Sequence, residues 1–318
     1  MTGPRAPYVS IVYTGRNDDF GGDFNHRFVR ALQFNHAQLA GAGVRYDVVF
    51  VEWRPVPRKP LLGDLLRGEL PAIDPLLTTI EVDRRYHDAF SQNPRVPFLE
   101  FIAKNVGIRR ATGSYILATN SDIYLGREIV GFIAQRMLRP MVLYRATRVD
   151  LKSNLDPSAI DDSVLLDRRN QERINHLKPP AYTNAAGDFL LLDRFSYHAL
   201  RGFNEVFRAA KIHVDANFCH HSLASGVMLV DTGKPVYHFG EGTFHARQSL
   251  YDADGADAPW GRRWHKTVTY RNRAGWGLGD APLVPYGARR FRLAFDEAAL
   301  PPLVDLRRVG SSLASQPA

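Results

Sequence analysis

Cysteine is nearly absent from this sequence: Cys219 is the single one among 318 residues. No intrachain disulfide can form, so the fold must rest on a packed core, and a reducing cytoplasm is the expected setting. No apolar run is long enough to span a bilayer. Residues Met1 to Ser10 lack the basic-then-apolar layout of a secretory leader, so the chain is expected to act where it is made. Lysine- and arginine-rich runs are missing as well, although the chain carries a net charge of +8 and a pI near 9.6. The arginines are scattered, without zinc-finger spacing or an RNA-binding aromatic signature, so nucleic acid is not an expected partner. The excess charge reads either as a solvated arginine-rich surface or as a field that draws anions such as nucleotide diphosphates. Repeats and low-complexity segments are lacking too.

What is there is an ordinary globular composition, 45% hydrophobic and 23% charged, enough for a sizeable core. Strand-like and helix-like segments alternate. Tyr8 to Thr14 reads as a buried strand, and a polar turn from Gly15 to Gly22 follows it. Asp23 to Ala40 has helical spacing, with Phe24, Phe28, Ala31, Leu32 and Leu39 on one side. Asp47 to Val51 is a second strand, stopped by Glu52 and Trp53. This order predicts a right-handed crossover and parallel pairing. Thr78 to Val82 and Met141 to Arg145 read as further strands, and Phe98 to Ala111 and Arg127 to Leu138 as helices. Lys152 to Pro180 reads as a long loop with room for a short helix. After about His245 the alternation fades, and Trp260, Trp264 and Trp276 are expected to pack that extension back on the core, with the last ten residues disordered.

The stretch from Asn105 to Leu125 is the most specific. The spacing predicts a helix closed by a left-handed Gly113, then an apolar strand, then the polar cluster Asn120-Ser121-Asp122. That order sets Asp122 at the C-terminal edge of a sheet, where open α/β sheets bind ligands. A carboxylate there suits a divalent cation bridging a pyrophosphate, because hard cations share oxygen ligands with phosphates. The same three residues would also make a plain Asx-type turn. In the turn after the first strand, Arg16 could meet a phosphate and Asp18 or Asp19 a base or ribose, with Thr14 at the strand end. A solvated turn with Asp23 as helix N-cap is the alternative.

The segment Asn105-Val106-Gly107-Ile108-Arg109-Arg110-Ala111-Thr112-Gly113-Ser114-Tyr115-Ile116, leading to Asn120-Ser121-Asp122, resembles the nucleotide-sugar half of GT-A glycosyltransferases of the family-2 type. The resemblance covers roughly Tyr8 to His245, and Asn120 stands where the family's Asp-x-Asp motif has its first acid. It implies a GT-A fold of the α/β class: a mixed, mostly parallel sheet flanked by helices. The catalytic domain would span residues 1–245, with a nucleotide-sugar half to about 150, an acceptor half from 151, and an extension over 246–318. It implies an inverting transfer from a nucleoside-diphosphate sugar, most simply a UDP-sugar, to an acceptor the sequence does not identify.

The family pattern assigns roles by position. Glu52 would contact the nucleoside, and Asn105, Arg109, Asn120, Ser121 and Asp122 would line the donor site. Asp188, in the block Thr183 to Arg194, would bind the acceptor. Asp215 would be the general base, with Glu205 in reserve. Asp122 with His238, or with His245, would hold Mn2+ or Mg2+. Each of these acids would serve equally as a strand-edge or helix-start residue. A sugar-phosphate nucleotidyltransferase, or a non-catalytic nucleotide-sugar-binding protein, are the competing functions. A homodimer is compatible with the sequence.

Overall fold

The computed structural model describes residues 6–19, 22–94, 96–208, 213–239 and 270–300. At its centre β1 (Val9–Gly15) lies between β2 (Tyr46–Trp53) and β4 (Tyr115–Ala118), and β3 (Leu77–Val82) adds outside β2, all parallel. Beyond β4 the direction reverses through β8 (Leu190–Asp193) and returns in β6 (Val142–Leu151). Parallel to β6 runs β9 (Met228–Phe239), and β5 (Ile123–Tyr124) pairs antiparallel with the end of β9. The chain is thus of the mixed α/β class, with parallel pairing in its longest registers.

Side-chain alternation on the strands feeds two cores. Val9, Ile11, Tyr13, Val48 and Phe50 face α1 (Phe24–Gly41) and α2 (Leu62–Glu69). Val12, Val49, Val51 and Trp53 face the other way, toward α4 (Glu100–Arg110). These strands are apolar on both sides because both faces are covered, as parallel sheets require. Contact between α4 and the sheet is close at Gly107, where a Cβ would stand 2.5 Å from Val12 Cγ1.

Several elements differ from the sequence expectation. The α4 helix ends at Arg110, and Gly113 is not left-handed. Glycine is needed there because a Cβ would meet the Ser10 backbone nitrogen at 2.5 Å. Helix α5 (Arg127–Ala134) stops short of Leu138. The loop from Lys152 to Pro180 carries its short helix as α6 (Asp162–Leu166), and also an unexpected strand, β7 (Gln171–Asn175), paired with β6 despite its polar sequence. Thr232 to Lys234 form a bulge within β9: Asp231 pairs with Arg145, Pro235 with Thr147, and Gly233 takes φ 64. Near the C-terminus a hairpin, β10 (Leu283–Gly287) and β11 (Arg290–Leu293), sets β11 parallel to β3. Trp276 is buried in the core, whereas Trp260, Trp264 and the last ten residues lie outside the described residues.

Candidate active site

The C-terminal ends of β1, β4, β6 and β9 share one edge of the sheet, and the polar residues there form two hydrogen-bonded groups with His238 between them. Thr119 and Asn120 leave β4, and Ser121 donates to the carbonyl of the buried Thr14 at 2.8 Å. Asp122 follows. Its Oδ2 accepts from Arg27 Nη1 at 3.0 Å, and its Oδ1 stands 3.5 Å from His238 Nε2. Pairing of β5 with β9 sets Ile123 opposite His238, which explains why residues 116 positions apart in sequence meet. On its other side His238 Nδ1 lies 3.7 Å from Asp150 Oδ1. Both gaps exceed a direct hydrogen bond. His238 Nδ1 and Asp150 Oδ1 are buried without a hydrogen-bond partner, although Arg148 Nε approaches the latter at 2.7 Å in an ion pair.

Arg148 also donates to Asp188 Oδ2 at 2.9 Å, and Asp188 Oδ1 accepts from Asn120 Nδ2 at 2.6 Å. Asn120 Oδ1 in turn accepts from Lys104 Nζ at 2.6 Å. Lys104 is fully buried, and its other protons go to Glu100 Oε1 at 2.9 Å and Gly187 O at 3.1 Å. All three donors of the ammonium are thereby used, as a charge at that depth requires. Gly187 N closes the network by donating to Asp215 Oδ2 at 2.7 Å.

Two consequences follow from this geometry. An amide suits position 120 because it must accept from Lys104 and donate to Asp188 at once. A carboxylate there would face the Asp188 carboxylate across the same 2.6 Å. Asp188 has both oxygens engaged, whereas Asp215, half-buried in the first turn of α8 (Val214–Ala224), spends one oxygen on Gly187 N. The other oxygen of Asp215 takes no part in the network's hydrogen bonds.

Glu100, Asp122, Asp150, Asp188 and Asp215 face Arg27, Lys104 and Arg148, which leaves an excess of negative charge in the network. Among the described residues no group of three or more His, Cys, Asp and Glu side chains is placed to hold a metal ion. Asp122 Oδ1 and His238 Nε2, 3.5 Å apart, are one oxygen and one nitrogen donor, and a divalent cation there would need its remaining ligands from outside these side chains. The excess negative charge agrees with a cation there.

Other expected site residues are elsewhere. Asn105 Nδ2 donates to Phe203 O at 2.7 Å and Glu205 Oε1 at 3.0 Å, while its Oδ1 accepts from Phe203 N. Glu205 is buried, accepts Gly277 N at 2.7 Å, and burial pushes its carboxyl above the ordinary range. Arg109 donates to Ala274 O at 2.8 Å and lies over the Trp276 ring. These three therefore clamp residues 272–278 to α4. Their side chains are consumed by that joint, which corrects their placement in a donor or catalytic site.

Glu52 is buried under the start of α2, where its oxygens accept from Leu62 N at 2.8 Å and Gly63 N at 3.1 Å. Desolvation by burial outweighs those bonds and pushes its carboxyl up to about 7. It anchors a helix instead of presenting an acceptor to solvent. Arg16 pairs with Asp18 at 2.6 Å and donates to Arg54 O. Asp19 accepts from Asn25 N, serving the α1 N-terminus, while Asp23 pairs with Arg27. The first-turn residues lie on the same edge as the network and are engaged locally. His245 lies outside the described residues.

Sequence reasoning missed Arg27, Lys104, Arg148 and Asp150. Arg27 interrupts the apolar side of α1 beside Phe28, and Lys104 sits among buried residues of α4; an ion inside an apolar face was the available signal. Arg148 and Asp150 lie beyond the expected end of β6.

No family model matches the chain, and no curated protein matches it. Among solved structures it is similar to the crystal structure of S. aureus TarS 1-349, at 13% identity, over 81% of this chain and 68% of that one, with a TM-score of 0.42. A superposition that loose decides neither reaction nor ligand, which must come from the residues themselves.

Proposed function

We propose that the chain is a glycosyltransferase that moves a sugar from a nucleoside-diphosphate sugar, a UDP-sugar in the first instance, to an acceptor hydroxyl or amine with inversion. The observation that carries this reading is the Asp122–His238 pair at the same sheet edge as the Asn120, Lys104 and Gly187 bonds that lead to a carboxylate with an oxygen to spare, Asp215. Asp122 and His238 would hold Mn2+ or Mg2+, which would supply positive charge to the departing diphosphate. Asp215 takes the acceptor's proton as the acceptor atom bonds to the anomeric carbon. The bond from that carbon to the diphosphate oxygen breaks, and its electron pair leaves with the diphosphate. Lys104 fixes the distance between the two ends of the site, since its one ammonium binds both Asn120 and Gly187.

The test is calorimetric titration of UDP, GDP and CDP with and without Mn2+, followed by UDP release from a panel of UDP-sugars with candidate acceptors. Asp215→Asn should lower transfer by roughly a hundred-fold or more with UDP affinity unchanged. Near-native turnover of that variant would remove Asp215 as the base. Product that retains the donor's anomeric configuration would reject inversion, and absence of any nucleotide binding would reject the whole reading.

A further inference from the structure

At the opposite edge of the sheet, where β4, β6 and β9 begin, large apolar side chains stand in solvent. Phe195 is 77% exposed, Met137 74%, Met228 61% and Met141 43%. They belong to different elements: the turn after α5, the start of β6, the first turn of α7 (Arg194–Leu200) and the start of β9. Hydrogen bonds draw these elements together. Met228 N donates to Met141 O at 3.0 Å, Met141 N to Asp193 Oδ2 at 2.8 Å, and Ser196 Oγ lies 3.3 Å from Met141 Sδ. Leu223, 39% exposed, closes the group from the end of α8. With so little of each side chain covered, these residues project from the surface.

The charge around them has one sign. Arg136, Arg139 and Arg194 are exposed and Arg201 is half-buried. Residues 135–141, 194–202 and 223–229 contain no aspartate or glutamate. Of the acids nearby, Asp193 is buried, with its carboxylate bound to Met141 N and Ser196 N, and Asp231 is exposed three residues along β9 from Met228, opposite Arg145. The whole chain is also basic, at +8.

We infer that this face rests on an anionic lipid surface, with Phe195, Met137 and Met228 entering the headgroup layer and the arginines meeting lipid phosphates. Apolar tips within a ring of arginine are what interfacial binding requires, because burial of the tips and attraction to the charged leaflet act together. A second copy seated symmetrically on the same face would bring like-charged arginines together, which argues against self-association as the occupant. Bound this way, the molecule holds its candidate active site on the side away from the lipid. The inference uses residues remote from Asp122, His238 and Asp215, so it stands or falls apart from the proposed reaction.

The test is co-sedimentation with vesicles of phosphatidylcholine alone and of phosphatidylcholine with equimolar phosphatidylglycerol. Binding to the mixed vesicles only, and its loss in high salt, are expected. Joint Arg136→Gln, Arg139→Gln and Arg194→Gln substitution should weaken it roughly a hundred-fold, at about five-fold per arginine. Phe195→Ser with Met137→Ser should weaken it at unchanged net charge. Removing the same charge elsewhere, with Arg58→Gln, Arg127→Gln and Arg168→Gln, should cost far less. Equal loss from that control set would reduce the effect to overall charge and overturn the proposal. So would no binding to anionic vesicles, or a dimer in sedimentation velocity that Phe195→Ser dissolves.

Discussion

Replacing Glu52 by glutamine isolates one buried proton. In the folded chain burial pushes the Glu52 carboxyl from 4.5 up to about 7. Between those values the unfolded chain has shed the proton that the folded chain keeps. Stability therefore falls as pH rises across that window and levels off above it. At ~1.4 kcal/mol per pH unit, the interval is worth ~3 kcal/mol. Glutamine has no proton to lose, and one of the two amides now bound, Leu62 N or Gly63 N, loses its acceptor. Glu52→Gln should then be the less stable protein near pH 4.5, and the gap should shift by ~3 kcal/mol in the variant's favour by about pH 8. Urea unfolding of both proteins at a series of pH values reads this directly, and other titrating groups cancel in the difference. Parallel stability curves would refute the argument that Glu52 is a desolvated helix anchor. Parallel curves together with weakened nucleotide binding would return Glu52 to the donor site.

Other outcomes follow from the network. Asp122→Ala should abolish any tightening of UDP binding by Mn2+, read by calorimetry; equal affinity of the native protein with and without the cation would remove the metal from the site. Asn120→Asp sets a carboxylate against Asp188 where a 2.6 Å hydrogen bond now lies, and should cost ~1–3 kcal/mol near neutral pH in urea unfolding, with part regained on acidification. Asn105→Ala removes the hydrogen bonds to Phe203 and Glu205 and should destabilise the chain by ~2–4 kcal/mol while UDP affinity in the surviving folded fraction is unchanged.

Periodicity made the framework legible. The first three strands and the helices over residues 24–41 and 100–110 were readable within a few positions, because each is apolar on the faces it buries. The polar cluster after β4 was legible because Asn, Ser and Asp directly follow an apolar strand. The other half of the site was not. Nothing in the local sequence around Asp150 shows that it faces His238, since a bulge at Thr232 to Lys234 sets the register between their strands. Asn105 and Arg109 sit in the most specific motif of the chain, yet they serve its joint with residues 272–278. That joint depends on a segment without periodic signal. Strand β7 was invisible for a similar reason: backbone pairing with β6 and polar bonds such as Asn175 Nδ2 to Asp150 Oδ2 at 2.8 Å hold it, and neither leaves an apolar period in the sequence.

The last strand has a consequence for how the molecule comes into being. Arg292 of β11 reaches Glu81 of β3, 211 positions earlier. Until Arg290 to Leu293 has left the ribosome, β3 is an open edge with Leu77, Ile80 and Val82 already committed to the core and one row of backbone groups unpaired. Contacts of such range close slowly, because the intervening chain must first be ordered. An open parallel edge is also a template for a second nascent chain. The sheet that carries the candidate site is thus closed beside β3 by a segment made some 211 residues later, and a chain cut short before residue 290 would keep its network residues while exposing the strand most prone to pair with a neighbour.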